Sequence, residues 1–378
     1  MNAMRRWAGA ALIALLIGVL APGATLAASD RTVYVDDNGA ANAAGKGKCG
    51  KPNYTTIQAA VNDASASHIV VCKGTYVEQV TVERSLTLEG RPGAVIQAPA
   101  GEFDAIVLFR GPQTSRLTGF TITGAGSATV GAGVRTNGFV SDDIAYGPTQ
   151  VTISHNRISD ILDTRYGPSG GIGIFIFQSQ ADVSDNRVER YGFAGIDADG
   201  DDRADTSAQI DGNIIRGQGV GGASESQIGI HLDETSADVE DNTISGNYGN
   251  GADGAGMGIL VQFAHVSIRD NTLKQNGTGV RFGPGDGAEF RSNVIRDSAH
   301  NGIELLSTVG TLIVENRSSG NGGSGIYLAA NTQGNTVRGN TARNNGSFDI
   351  FDGTGAPPAN TYVDNTCKTS SPDGLCGD

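Results

Sequence analysis

The chain has 378 residues, with 40 Asp and Glu against 27 Lys and Arg, a formal net charge of −13 and 56 glycines. So acidic a surface weighs against nucleic acid and anionic membranes as partners. It also opposes an anionic polysaccharide unless cations bridge or a local basic patch intervenes.

The chain opens MNAMRRWAGAALIALLIGVLAPGATLAASD. Arg5 and Arg6 precede an apolar run from Ala8 to Leu20, then Pro22 and a string of small residues. That layout predicts a secretory signal peptide over 1–28, cleaved after Ala27 or Ala28. Its removal takes two arginines and brings the net charge to −15 (25 against 40). An exported chain follows: secreted, periplasmic or on the cell surface. No later apolar run is long enough to span a bilayer, so no membrane span is expected in the mature chain. Residues 29–66 read as an N-terminal segment in which Thr55 or Thr56 N-caps a short helix, with Ile57, Ala60, Val61 and Ala64 on one face.

From 67 to 366 the sequence repeats. Stacking VTISHNRIS, ADVSDNRVE, AQIDGNIIR, ADVEDNTIS and VSIRDNTLK aligns an asparagine that recurs at 156, 186, 213, 242, 271, 293, 316, 340 and 365. The gaps are 30, 27, 29, 29, 22, 23, 24 and 25 residues. A second strand follows, opened by Gly and an aliphatic residue: GIFIF, GIDAD, GIHLD, GILVQ, GVRFG, GIELL, GIYLA. Short alternating strands and Gly/Asn turns at a period in the twenties predict an all-β solenoid of parallel coils, about eleven in number and about 4.8 Å apart. Asn tolerates left-handed backbone at a tight bend, and its amides can bond along the stack. The helix near residue 57 would close the open end of the first coil, as solenoids require.

IQAAV…GTYVE…VTVERSLTLEG resembles the opening of pectin methylesterases, while LTGFTITG and the Asn-x-Ile rungs resemble the general parallel β-helix repeat group. The chain is thus similar to the right-handed parallel β-helix, or pectin-lyase-like, families, a resemblance of fold over nearly the whole mature chain. It lacks the paired Asp and Gln-Asp motifs of methylesterases, the Asp-Asp and Gly-His-Gly of polygalacturonases, and the Arg-x-Pro-x-x-Arg of the main pectate lyase group. YGFAGID, from Tyr191, is similar to the Tyr-Gly-Phe-Asp-Pro-His motif of alginate epimerases, but Ala194 and Gly195 stand where Asp and Pro would.

Cysteines 49, 72, 367 and 376 allow three disulfide pairings. A solenoid of about eleven coils separates its ends by roughly 50 Å, so only Cys49–Cys72 and Cys367–Cys376 can meet. The second would tie back a tail over 367–378. A zinc site is the competing reading, but no histidine lies close to these cysteines in sequence.

Strand alternation turns the Gly-Ile strands into columns. One outward column reads Arg135, Phe175, Asp197, His231, Leu260, Arg281, Glu304, Tyr327. The next reads Asn137, Phe177, Asp199, Asp233, Gln262, Gly283, Leu306, Ala329. Asp197 should therefore lie beside His231, and Asp199 beside Asp233. Two carboxylates that close cannot both ionise cheaply, so one has a raised pKa or a cation sits between them. His231, Asp197 and Arg281 are candidate catalytic residues. Arg135, Phe175, Phe177 and Tyr327 are candidates for holding sugars. Asp199, Asp233 and Asp201 are candidate ligands for Ca2+, although Asp202 and Ala208 occupy the glycine and glutamate positions of an EF-hand loop. The bland alternatives are a solvated aspartate turn over 197–205 and a structural histidine at 231. Long insertions at 137–150, with Asp142 and Asp143, and at 160–171, with Asp163, Arg165 and Tyr166, are expected to wall this column.

These readings converge on a monomeric exported protein that binds or modifies an acidic polysaccharide. Its expected chemistry is lysis or C5 epimerisation of a uronate chain, where the carboxylate's charge must be offset and a base must take the adjacent proton. Hydrolysis would use two carboxyls instead. A non-catalytic cell-envelope or adhesive solenoid is the alternative.

Overall fold

The computed structural model describes residues 31–124, 129–137, 139–141, 144–145, 149–162, 170–200, 206–220, 226–249, 256–355 and 359–377. Three long parallel sheets run the length of the molecule. Sheet I has 13 strands, from Arg31–Val35 to Thr361–Val363. Sheet II has 11, from Gly74–Val77 to Thr341–Arg343, and sheet III has 12, from Val80–Val82 to Ser370–Ser371. Each complete coil contributes one strand to each sheet in the order I, II, III, so strands adjacent in space belong to successive coils. The strand Arg31–Val35 pairs with Ala66–Val71 and precedes the helix, so sheet I begins earlier than the repeat pattern announces.

Alternation turns aliphatic and aromatic side chains inside, two in sheet III strands such as that of Ile230 and Leu232 and one in most sheet II strands. In sheet I the stack runs Ile153, Val183, Ile210, Val239, Ile268 and Phe290, all fully buried. Burial of each contributes about 1.5–3 kcal/mol, and no coil could bury its own inner face without a neighbour above and below.

The asparagine ladder forms at the corner between sheets I and II. Asn242 is typical: its Nδ2 donates to the carbonyls of Ile210 and Glu240 at 2.8 Å and to Asn271 Oδ1 at 3.0 Å. Its own Oδ1 accepts from the backbone N–H and the amide of Asn213, at 2.9 and 3.0 Å. The left-handed backbone belongs to the residue before it, not to the Asn. His155, Asp185, Asp241, Asp270, Ser292, Glu315 and Asp364 all have φ between 52° and 58°. The Asn side chain turns inward from that bend and satisfies backbone groups the corner would strand. A second ladder, Asn247–Asn276, lies at the corner between sheets II and III.

The glycines that open the sheet III strands stack as well. A Cβ on Gly195, Gly229 or Gly258 would sit 2.5–2.7 Å from the carbonyl oxygen of the glycine one coil on. Only glycine fits that approach.

The N-terminal helix covers Ile57–Val61, with Thr56 Oγ1 accepting from Ala59 N–H at 3.4 Å. Glu78 adds a second cap, its carboxylate accepting from the N–H groups of Ile57 and Gln58 at 2.8 and 2.9 Å. Ile57, Ala60 and Val61 are buried on the first coils, whereas Ala64 falls beyond the helix end. Both expected disulfides form, with Cα separations of 5.7 Å for Cys49–Cys72 and 5.3 Å for Cys367–Cys376. Leu375, held by the second, plugs the far end of the core. Among the described residues no helix is long and apolar enough to cross a membrane.

Candidate functional site

The strands Ile172–Phe177, Ala194–Asp199, Ile228–Asp233 and Met257–Gln262 lie side by side in sheet III. Their register pairs Phe175 with Asp197, Asp197 with His231, and His231 with Leu260. Two residues along, Phe177, Asp199, Asp233 and Gln262 form the parallel column. Both columns stand as alternation and the inward Ile, Ala, Leu and Val residues require.

Asp197 Oδ1 lies 2.9 Å from His231 Nδ1, and the pair is nearly closed to solvent, with side-chain exposures of 7 % and 13 %. Phe193 meets the imidazole edge-on at 5.8 Å, and Leu260 is its column neighbour on the other side. Nε2 faces Gln262 Oε1 at 3.3 Å. With an acceptor at each nitrogen, the ring is built to carry both protons. Burial works against the charge, but the hydrogen bond and attraction from Asp197 outweigh it and push His231 up to about 9. The resident species near neutral pH is an imidazolium.

Asp199 and Asp233 answer in the opposite sense. Burial, then the charges of Asp197 and Asp233, raise Asp199 to about 6. Burial also raises Asp233, with the His231 charge opposing it. Asp233 Oδ1 is buried without a hydrogen-bond partner. Side by side are thus a cation that keeps its proton and a carboxyl poised to exchange one, two environments that separate acid from base.

Arg135 stands two coils before Asp197 in the same column. Its guanidinium lies over the rings of Phe175 and Phe177, 5.0 and 5.8 Å from their centroids, and its buried Nε has no partner. Arg281 is not brought to the Asp–His pair. Leu260 intervenes, and the Arg281 guanidinium is held by Glu304 at 2.6 Å. Tyr327 is farther still, stacked on Phe351 with centroids 5.1 Å apart. Asp201, Asp142, Asp143, Asp163, Arg165 and Tyr166 lie outside the described residues. Of the first insertion, Phe139–Ser141 pairs antiparallel with Ile144–Ala145. Among the described residues no third carboxylate, His or Cys converges on Asp199 and Asp233 within ligand distance of a common ion; the one such group is Asp36 with the disulfide Cys49–Cys72.

Sequence reasoning passed over Phe193 and Phe351. Phe193 belongs to the YGF stretch four residues before Asp197, and Phe351 to DIFD, a sheet III strand that lacks the opening Gly-Ile. Tyr191, first residue of that stretch, is wholly buried with its hydroxyl on Asn247 Oδ1, and so belongs to the core. A shallow trough of about 790 Å³ runs along the outer face of sheet I, lined by Gln150, Gln180, Ser207, Gln209, Ser236 and others. Its lining also carries Asp182, Asp238, His265 and Glu289, and a second trough on sheet I is lined by His68 and Glu89, which meet at 2.9 Å.

Residues 228–376 match the family model of the right handed beta helix region. The fold is a right-handed parallel β-helix. Solved structures agree across the rest of this β-helix. A double mutant of the periplasmic alginate epimerase AlgG superposes with a TM-score of 0.56 at 14 % identity, over 81 % of this chain and 73 % of that one. The A-module of the Azotobacter vinelandii mannuronan C-5 epimerase AlgE6 gives 0.52 at 18 % identity, over 83 % and 89 %. The Dettilon tailspike protein gives 0.53 at 15 % identity, over 89 % and 68 %. No curated protein matches the chain by sequence.

Proposed function

We propose that this β-helix is an exported enzyme that modifies an acidic polysaccharide, by β-elimination or C5 epimerisation of a uronate unit bound over sheet III. The observation that carries the reading is the buried Asp197–His231 pair beside a carboxyl, Asp199, whose pKa is lifted to about 6. The His231 imidazolium offsets the substrate carboxylate as charge develops on it, which lowers the cost of removing the neighbouring proton. Asp199, ionised above pH 6, receives that proton, and Asp233 beside it keeps the shared site ready to exchange it. Expulsion of the ring's O4 substituent, protonated by His231, completes an elimination. In an epimerisation Asp199 keeps the abstracted proton while a second acid, His231 or a water it protonates, donates one to the opposite face of C5. Asp197 positions the ring and holds its charge. Arg135, boxed by Phe175 and Phe177, supplies a cation for a uronate two units away. Arg281, already neutralised by Glu304, and the Tyr327 ring serve the chain farther along. Asp199 and Asp233 are also the oxygen donors available to a calcium ion. The epimerases among the structural neighbours support the substrate class.

Hydrolysis is a second reading, favoured by the register of Asp199 opposite Asp233: one carboxyl, kept protonated, serves as acid and the other as base or nucleophile. Proton NMR of mannuronate, guluronate and galacturonate polymers incubated with the mature protein, with and without calcium, separates these outcomes. Alkene signals mean elimination, inverted anomeric signals mean epimerisation, and new reducing ends mean hydrolysis. The elimination or epimerisation reading also expects kcat/KM to rise as Asp199 ionises through pH 6 and to fall as His231 loses its proton near 9. No change in any polymer would refute an enzyme and favour a non-catalytic scaffold.

A further inference from the structure

The formal charge of −13 is unevenly distributed. From Arg157–Ile161 to Thr341–Arg343, the strands of sheet II carry eight cations and two acids, Asp160 and Glu189. Both acids are spoken for. Arg190 grips Asp160 through two 2.6 Å hydrogen bonds, and Glu189 lies between Arg187 and Arg157. Beyond them the strand registers line up Arg216, Ser245, Lys274, Arg296, Ser319 and Arg343 in one outward row. Arg317 stands two residues before Ser319. Among the described residues Arg216, Lys274, Arg317 and Arg343 make no ion pair, and Arg296 has only Asp297 at 3.7 Å. The acidic residues of the asparagine corner, such as Asp241, Asp270 and Glu315, sit at the opposite end of these short strands.

We infer that this row is a docking surface for a linear acidic polysaccharide, separate from the Asp197–His231 site. Arg216 and Arg343 are five coils apart, roughly 24 Å at ~4.8 Å per coil. The cations fall at coil steps of two, one and two, and every interval is a whole number of coils. A uronate polymer carries one carboxylate per sugar, so those that face the row recur at intervals of one to a few coils, the scale of the cation steps. Ser319, part-exposed between Arg296 and Arg343, offers a hydroxyl to sugar oxygens, while Ser245 is buried and adds no bulk between Arg216 and Lys274. An acidic molecule thereby offers an anionic chain a locally basic row, which fixes the chain's track along sheet II. The inference shares its substrate class with the proposed function but does not need sheet III to be catalytic.

The test is binding of a defined mannuronate oligomer to the mature protein by calorimetry at several salt concentrations. Arg216→Gln/Lys274→Gln/Arg343→Gln should weaken binding about tenfold or more and flatten its salt dependence, because fewer counterions are released. Arg216→Lys/Arg343→Lys should restore it. Arg269→Gln/Arg291→Gln/Arg338→Gln, on sheet I, changes the net charge equally and should leave affinity within about twofold if the effect is local. Unchanged affinity in the sheet II triple variant, or an equal loss in the sheet I variant, overturns the inference. Single-stranded DNA of equal charge bound as tightly would overturn the assignment to polysaccharide. Proton NMR of the same oligomer with the wild-type protein reads turnover separately: salt-dependent binding lost in the sheet II variant with no oligomer changed would leave the docking surface standing while the enzymatic reading fails.

Discussion

Asp197→Asn removes the charge and the acceptor that hold the proton on His231 while leaving the ring buried. In the wild type His231 stands at about 9 against an ordinary 6.5. At 1.36 kcal/mol per unit, that difference is worth about 3 kcal/mol of coupling between the proton and the fold. Because the folded value lies above the unfolded one, this stability is fully present below pH 6.5. It is lost as pH rises through about 9. In the variant, burial is opposed only by the Gln262 hydrogen bond and the Asp233 charge, so His231 should titrate well below its wild-type value and the loss of stability towards pH 9 should shrink. The assay is an NMR titration of the imidazole Cε1–H of the five histidines, with His231 assigned by its disappearance in His231→Asn. Denaturant unfolding of both proteins from pH 6 to 9.5 accompanies it, so that ionisations common to both cancel in the difference. A wild-type His231 midpoint at or below 7, or the same midpoint in both proteins, would refute the account of this pair and the electrostatic role given to it.

Asp199→Asn should stabilise the protein at pH 7. A raised carboxyl contributes stability below its unfolded value near 3.9 and loses it through about 6, so removing the ionisation recovers about 1 kcal/mol once screening at this half-exposed group is allowed for. Destabilisation in urea at pH 7 would contradict the burial argument. Turnover in the same variant should fall at least about a hundredfold if Asp199 is the base. Asn242→Ala should cost about 3–5 kcal/mol, since it strands the Asn213 N–H and two carbonyls in a buried corner; a loss below about 1 kcal/mol would show the ladder to be ornamental. Tyr191→Phe should cost about 1–2 kcal/mol through the Asn247 contact and leave kcat untouched. A large kcat loss there would place Tyr191 in the chemistry.

Much of this was legible because a solenoid converts sequence spacing into spatial order. The Asn column announced the corner between sheets I and II. The Gly-Ile strands set a register that put Asp197 beside His231 and Asp199 beside Asp233, before any side-chain contact was seen. Conformation within the corner was not legible, because the residue that takes the left-handed backbone varies among His, Asp, Ser, Glu and Gly, whereas the Asn beside it does not. The Asn247–Asn276 ladder escaped notice because Ser298 stands where its next rung would carry an asparagine. The strand Arg31–Val35 escaped because RTVYV lies outside the repeat and declares itself only by pairing. Arg281 was read into the site from its sign. What removed it was Glu304, one coil on, a partner that a column of letters displays but does not weigh.

The asparagine ladder carries one more consequence. Each rung hands the same amide and the same acceptor to the rung above, so a coil has no private partner and any complete coil could stand next to any other. Only the capped first turn and the cystine-bound last turn are unique. Lengthening such a molecule therefore means splicing in a whole turn, which every neighbour accepts, whereas one extra residue inside a strand would put an inward aliphatic side chain into water. Growth by complete turns also moves the two outward faces together. The number of sugars spanned along sheet II and the reach of the columns on sheet III would rise in the same increments, which makes the molecule a ruler marked in coils.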